Sequence, residues 1–198
     1  KLDNTIIIFI SDQGAPSQLE GNYPYLGGKG NLLEGGIKSP CILYWPGKLS
    51  PQRKQIFCTG LDVFPTMLAA AKTSDSLFLS TSIGKSMLDS EHHTNEIFAW
   101  EFRSTIVIRK AKWKAIFYPL PDTNPKKFNQ YLEGIPSLPF KNWTDDEGKP
   151  YLIWLFNLDT DPTEQNNLAS TNLEELNEMW LEYVNKFKIQ TLNYIFDI

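Results

Sequence analysis

The stretch Thr5-Ile6-Ile7-Ile8-Phe9-Ile10-Ser11-Asp12-Gln13-Gly14 decides the fold class. Its first seven residues form a β-branched and aromatic run without polar alternation, the pattern of a strand buried on both faces of a parallel or mixed sheet. Such a strand needs strands beside it and helices above and below. The run stops at Asp12-Gln13-Gly14, and residues 15–36 are rich in Gly, Pro, Asn and Ser, as a long loop would be. Loops at the carboxyl ends of strands are where α/β proteins usually hold ligands.

Working outward, residues 39–45 (SPCILYW) read as a second strand closed by the turn Pro46-Gly47, and residues 55–59 as a further short one. A helix follows, with Asp62 as its N-cap, Pro65 in its first turn and Lys72 near its negative end. Met67, Leu68 and Ala71 would form its apolar face. Residues 73–95 are polar and irregular and read as a connector. Beyond it, residues 96–102, 105–109, 113–118 and 151–158 are four strand candidates, separated by short turns except for one long polar, Pro-rich insertion. That pattern predicts an antiparallel sheet. The last element is an amphipathic helix with Leu173, Leu176, Trp180, Tyr183 and Phe187 on one face and a Thr171-x-x-Glu174 capping box at its start. The fold class expected is therefore α/β over residues 1–94, followed over residues 95–198 by a small antiparallel sheet packed with a C-terminal helix.

Bulk properties exclude several functions. With 41% hydrophobic and 13% aromatic residues among 198, the chain is too apolar for disorder. Its net charge of −4 and dispersed lysines and arginines give no basic stripe, so nucleic acid is not expected as a partner. No run approaches the roughly 18 to 20 apolar residues of a membrane span. The chain opens at Lys1 directly into a strand, without Met or a signal peptide, so an upstream segment is expected. Cys41 and Cys58 lie in strand-like apolar contexts and read as two buried free thiols, with a disulfide as the alternative. Asn142-Trp143-Thr144 is a glycosylation sequon.

Two constellations could carry chemistry. Asp12-Gln13 sets a carboxylate beside an amide oxygen, both suited to a hard cation, although Asp and Gly also end strands for purely conformational reasons. Residues 27–36 (GGKGNLLEGG) place five glycines around Lys29 and Glu34. Glycines let backbone approach a ligand closely, and a lysine among them can meet an anion. The spacing is not that of a P-loop. His92-His93 has no acidic or cysteine partner at ligand spacing and reads as part of a solvated loop.

Taken in order, TIIIFISDQG, GGKGNLLEGGIKSP, WPGKL and GLDVFPTMLAAA resemble the latter half of the catalytic domain of the formylglycine-dependent sulfatases. STIVIRKAKWK at residues 104–114 and LFNLDTDPTEQNNLA at residues 155–169 resemble that family's C-terminal subdomain, including its Asp-Pro-x-Glu-x-x-Asn-Leu signature at Asp161, Pro162, Glu164, Asn167 and Leu168. The resemblance covers essentially the whole chain. It implies the C-terminal part of an alkaline-phosphatase-like α/β sandwich, and a sulfuric ester hydrolase acting on carbohydrate or aryl sulfates.

The resemblance also implies roles. Asp12 and Gln13 would be ligands of Ca2+, with Mg2+ as the alternative, although Asn is the family's commoner amide at the position of Gln13. Lys29 would contact the sulfate, Glu34 would brace the loop, and the Asp161 to Leu168 signature would be structural. The nucleophile is a formylglycine made in a Cys-x-Pro-x-Arg segment, and neither Cys41 nor Cys58 has that surrounding. Formylglycine and the remaining metal ligands are therefore expected from an N-terminal half that the chain would need as its partner, and the chain alone should be inactive. A non-catalytic relative and a phosphoesterase of the same superfamily are the alternatives, with Lys29 favouring the sulfatase. A lysosomal or secreted location is implied, or a periplasmic one in a bacterium, and Asn142 would then be open to glycosylation.

Overall fold

The computed structural model describes residues 2–16, 21–54, 56–73, 84–89, 93, 96–102, 105–119, 141–145 and 148–188, with residues 141–143 and 188 described by their backbone only. It divides into two compact units, one of residues 1–49 with 97–198 and one of residues 50–96.

The centre of the first unit is a five-stranded antiparallel sheet of β3 (Ile97–Phe102), β4 (Thr105–Lys110), β5 (Trp113–Pro119), β6 (Lys141–Thr144) and β7 (Pro150–Asn157), in the order β3-β4-β5-β7-β6. Four of these match the expected strands. The fifth, β6, lies in the long polar, Pro-rich insertion, and it becomes a strand by pairing along the edge of β7, with Asn142 opposite Leu152.

Strand residues alternate between the two faces, and each face has its own cover. On one, Ile106, Ile108, Ala115, Phe117, Tyr151, Ile153 and Leu155 pack with Leu176, Met179 and Trp180 of α3 (Leu173–Tyr183). Trp180 anchors this side, its ring centroid 4.7 Å from Phe117 and 5.6 Å from Tyr151. On the other face Val107, Ile116, Leu152, Trp154 and Phe156 meet Leu32 and Leu33 from the glycine-rich segment, just before the short helix α1 (Glu34–Ile37). The sheet thus has a helix on one side and the candidate ligand loop on the other.

The expected capping box of α3 does not form. Asn172 occupies the N-cap without capping the helix through its side chain, and Thr171 Oγ1 lies 2.9 Å from Asn172 Oδ1 and 3.1 Å from the Leu168 carbonyl. Leu173 is correspondingly exposed, while a π-helical turn at Val184–Lys188 keeps Tyr183 and Phe187 against the core beyond the end of the α-helix.

Two further strands of this unit depart from expectation. β1 (Ile7–Ile10) and β2 (Cys41–Tyr44) form an antiparallel two-stranded ribbon rather than a strand buried on both faces of a larger sheet. Phe9 is 59% exposed and Ile42 56%, with Ile7, Ile10 and Tyr44 also exposed. The described residues supply no layer over them. Cys41 is exposed on this ribbon and Cys58 half-buried, and no disulfide joins them, so the expected burial of Cys41 does not hold.

In the second unit, residues 56–59 are not a strand, and residue 55 lies outside the described residues. A 3-10 turn at Gly60–Asp62 leads into α2 (Val63–Ala70). Asp62 does not cap α2. Its carboxylate reaches back to the Thr59 N–H at 2.6 Å, closing a capping box on the 3-10 turn. Pro65 and Thr66 face inward while Met67 and Ala71 are exposed and Leu68 is half-buried, because the Thr66 hydroxyl is held between the Asp62 carbonyl and the Met87 N–H. That pair of hydrogen bonds rotates the predicted apolar face outward.

Candidate active site

Asp12 and Gln13 stand just past β1, the first exposed and the second half-buried, with Gln13 Nε2 donating to Asp12 Oδ2 at 3.2 Å. The chain then turns under the glycine-rich segment. Gly14 N–H donates to the Gly36 carbonyl at 2.9 Å, and Lys29 N–H donates to the Ala15 carbonyl at 2.9 Å. Asn22 locks the turn by accepting from the Ala15 N–H at 2.8 Å and donating to the Ala15 carbonyl at 2.7 Å. These bonds bring two stretches of sequence, residues 12–15 and 28–36, onto adjoining turns. Lys29 is exposed, and no ion pair among the described residues uses it.

Glycine is required where the turns cross. A Cβ on Gly14 would overlap the Gly35 carbonyl oxygen, and one on Gly36 would overlap the carbonyl oxygens of Asn31 and Gly28. Backbone atoms cannot yield as a flexible side chain can. Gly14→Ala is therefore expected to cost about 2 kcal/mol, the middle of the range for overpacking, and to lower the melting temperature of the full-length protein. Gly60→Ala, where a Cβ meets nothing within 4 Å, is the silent control.

Behind the loop lies a buried ion cluster. Lys114 of β5 is wholly buried, with Nζ 2.9 Å from Glu34 Oε1 and 2.8 Å from Glu164 Oε1. Glu164 Oε2 accepts the Glu34 N–H at 2.5 Å. Burial pushes the Glu164 carboxyl above its usual range against the pull of Lys114. Arg109 lies opposite Lys114 in the β4–β5 register; burial lowers its pKa, and the charges of Glu34, Asp159 and Glu164 oppose that shift. Glu34 is therefore a brace, as the resemblance implies.

Glu164 has a longer reach than the sequence suggests. Around it the signature behaves as a turn, Asp161 accepting from the Gln165 and Asn166 N–H groups and Asn167 from those of Leu155 and Ala169. Glu164 itself sits at φ 60°, in the left-handed region, and points into the cluster rather than along its own loop. Lys114 went unnoticed in the sequence, although one signal was available: a lysine in register with Ile116 and Tyr118 on a face otherwise apolar.

The second unit holds another buried group. His93 is 4% exposed, with Nε2 2.7 Å from Asp62 Oδ1 and Nδ1 2.7 Å from Glu96 Oε2. Each ring nitrogen therefore has a carboxylate oxygen at hydrogen-bond distance. This overturns the solvated-loop reading of His93, because its acidic partners come from 31 residues upstream and three downstream, a relation that ligand spacing does not capture. His92 lies outside the described residues. Burial opposes ionisation of Asp62, but the hydrogen bonds from His93 and from the Thr59 and Lys85 N–H groups outweigh it and hold that carboxyl below its usual range. Lys85 pairs with the far side of Glu96, so each group in the set has an opposite charge or a donor beside it.

The donor chemistry of Asp12 and Gln13 fits part of a calcium shell. They offer two hard oxygens from consecutive residues, where calcium takes six to eight. Among the described residues no cluster of three or more His, Cys, Asp or Glu could hold a metal alone. No helix among them is long and apolar enough to cross a membrane.

The sulfatase family model matches residues 1–73. The N-acetylgalactosamine-6-O-sulfatase of Bacteroides thetaiotaomicron is 30% identical over an alignment covering 89% of this chain and 35% of that protein. The N-acetylgalactosamine-6-sulfatase of Canis lupus familiaris is 28% identical, covering 88% of this chain and 35% of that one. A solved structure described in connection with the metabolism of multiple glycosaminoglycans by Bacteroides thetaiotaomicron superposes with a TM-score of 0.58 at 26% identity, over 92% of this chain and 39% of the other. The chain spans about a third of the length of the curated relatives it matches.

Proposed function

We propose, from the membership of this chain in the sulfatase family, that it supplies part of the active site of a sulfuric ester hydrolase acting on a sulfated carbohydrate. The observation that carries this reading is the pair of backbone bonds joining residues 12–15 to the turns of Lys29 and Gly36, which draws a candidate metal edge and a candidate anion-binding lysine together. Two of the relatives are named as 6-sulfatases of N-acetylgalactosamine, which makes a galactosamine 6-sulfate the first substrate to test.

Asp12 and Gln13 would hold Ca2+, or Mg2+, together with ligands from the rest of a longer protein. The bound ion would withdraw charge from sulfate oxygens. Lys29 would meet the anion from the glycine-rich side, its ammonium countering the charge that builds as the ester oxygen departs. The formylglycine nucleophile would come from outside this chain. In the full-length protein, residues 1–94 would belong to the catalytic α/β domain and residues 95–198 would form its C-terminal subdomain. The exposed apolar side chains of β1 and β2 support an N-terminal portion as the partner that covers them. Asn142 is proposed as a glycosylation site of a lysosomal or secreted protein, with a periplasmic location as the alternative in a bacterium.

The test is sulfate release from N-acetylgalactosamine 6-sulfate by the full-length protein, with and without chelation of calcium. Turnover that falls on chelation is the expected result. An inert full-length protein would support the non-catalytic reading, and turnover of 4-nitrophenyl phosphate but of no sulfate ester would support the phosphoesterase.

A further inference from the structure

We propose that Lys114 is a positioning residue for the candidate site: through Glu34 and Glu164 it fixes, from the face of the five-stranded sheet, the glycine-rich turns that carry Lys29. The proposal rests on the reading of Lys29 as an anion-contacting group, and it is tested so that the two can fail separately.

Leu32 and Leu33 already bury the loop against the sheet, but apolar contact has no direction, and a loop held only by two leucines can slide and turn. The ion cluster supplies what that contact lacks. Lys114 lies within a central strand, so its ammonium is fixed relative to the sheet. It meets Glu34 at 2.9 Å and Glu164 at 2.8 Å, while Glu164 grips the Glu34 backbone N–H from the other side. Glu34 is thereby held at both side chain and main chain.

From Glu34 the constraint runs through covalent neighbours and four backbone bonds. Gly35 N–H donates to the Leu26 carbonyl at 2.8 Å, and the Gly36 carbonyl accepts from Gly14 at 2.9 Å. Ala15, next to Gly14, receives the Lys29 N–H, and Asn31 N–H closes the turn onto Gly28 at 2.9 Å. A shift of Glu34 therefore moves both Gly14 and the turn of Lys29. Replacing a buried ion pair by apolar residues of similar volume is often neutral or stabilising, so stability alone is a weak reason for such a cluster. Direction is a stronger one. Arg109, beside Lys114, balances the two carboxylates with a second cation, and Glu164 is held in a left-handed conformation to reach its partners.

The experiment uses the full-length protein. Lys114→Met alone leaves the buried Glu164 and the partly buried Glu34 without their lysine and can unfold the chain, so the informative variant is Lys114→Met with Glu164→Gln, which removes one charge of each sign. Hydrogen exchange at the Gly14, Lys29 and Gly35 amides should accelerate at least tenfold in that variant, with β3 and β4 unchanged. Equal protection in the loop, or uniform acceleration everywhere, overturns the proposal.

The second readout is a double-mutant cycle on kcat for 4-nitrophenyl sulfate. Lys29→Ala should cost about a hundredfold in the native background and less than about tenfold in the Lys114→Met/Glu164→Gln background, where the ammonium is already misplaced. The same hundredfold loss in both backgrounds overturns the positioning role. If Lys29→Ala changes nothing in either, the reading of Lys29 fails, and the exchange data alone decide whether Lys114 orders the loop.

Discussion

Lys29→Ala in the full-length protein should lower kcat on a sulfate ester by roughly two orders of magnitude, the scale at which one group stabilising developing charge is lost. The effect should fall on kcat more than on KM. An ammonium that meets ground-state and departing sulfate equally well would change KM alone, whereas one better matched to the charge of the transition state changes kcat. Lys29→Arg should recover only part of the loss, because a planar guanidinium cannot occupy the position of a compact ammonium within a turn closed by the Lys29 to Ala15 bond. Steady-state kinetics on the three proteins, with calcium saturating, make the comparison. Unchanged turnover in Lys29→Ala removes that residue from the mechanism.

How far this site could be read without a structure depends on the kind of interaction. The glycine-rich segment and the strand-ending Asp12-Gln13 stand out because their pattern is local, and local order fixes where backbone can turn. The four strands that alternate or run apolar, and the face of α3 carrying Leu176 and Trp180, were legible for the same reason. What the sequence hid is what joins distant segments. Lys114 and Glu34 are 80 residues apart, and Glu34 and Glu164 are 130 apart, so nothing near any one of them announces the cluster. β6 was missed because an edge strand takes its identity from the neighbour it pairs with, and residues 141–144 have no apolar rhythm of their own. β1 forms where the pattern predicts a strand, and the described residues leave it uncovered, since an unbroken apolar run tells of a need for cover and not of its source.

His93→Ala should loosen the unit of residues 50–96 by about 3 kcal/mol near neutral pH, the upper end for leaving a buried hydrogen-bonding group without its partner. The cost arises mainly at Asp62, which is completely buried and would lose the ring while keeping the Thr59 and Lys85 N–H groups and the Thr59 hydroxyl. Those same amides provide the readout. Hydrogen exchange at Thr59, Lys85 and Met87 should accelerate about a hundredfold, because roughly 1.4 kcal/mol corresponds to each factor of ten in the opening equilibrium. Exchange in β4 and β5 should not follow. The sign of the pH dependence is fixed by Asp62, whose folded carboxyl lies below the ordinary value of 3.8. Its contribution is fully present above that value and is lost as pH falls through the folded one, so native and variant proteins should converge under acid conditions. Glu96 shifts in the same direction, chiefly through Lys85, but its side chain is 38% exposed and solvent weakens its share. Asp62→Asn with His93→Gln, which keeps hydrogen-bonding groups while removing the carboxylate charge, should recover most of the protection. A double variant as labile as His93→Ala would mean that shape, and not charge, holds this unit together.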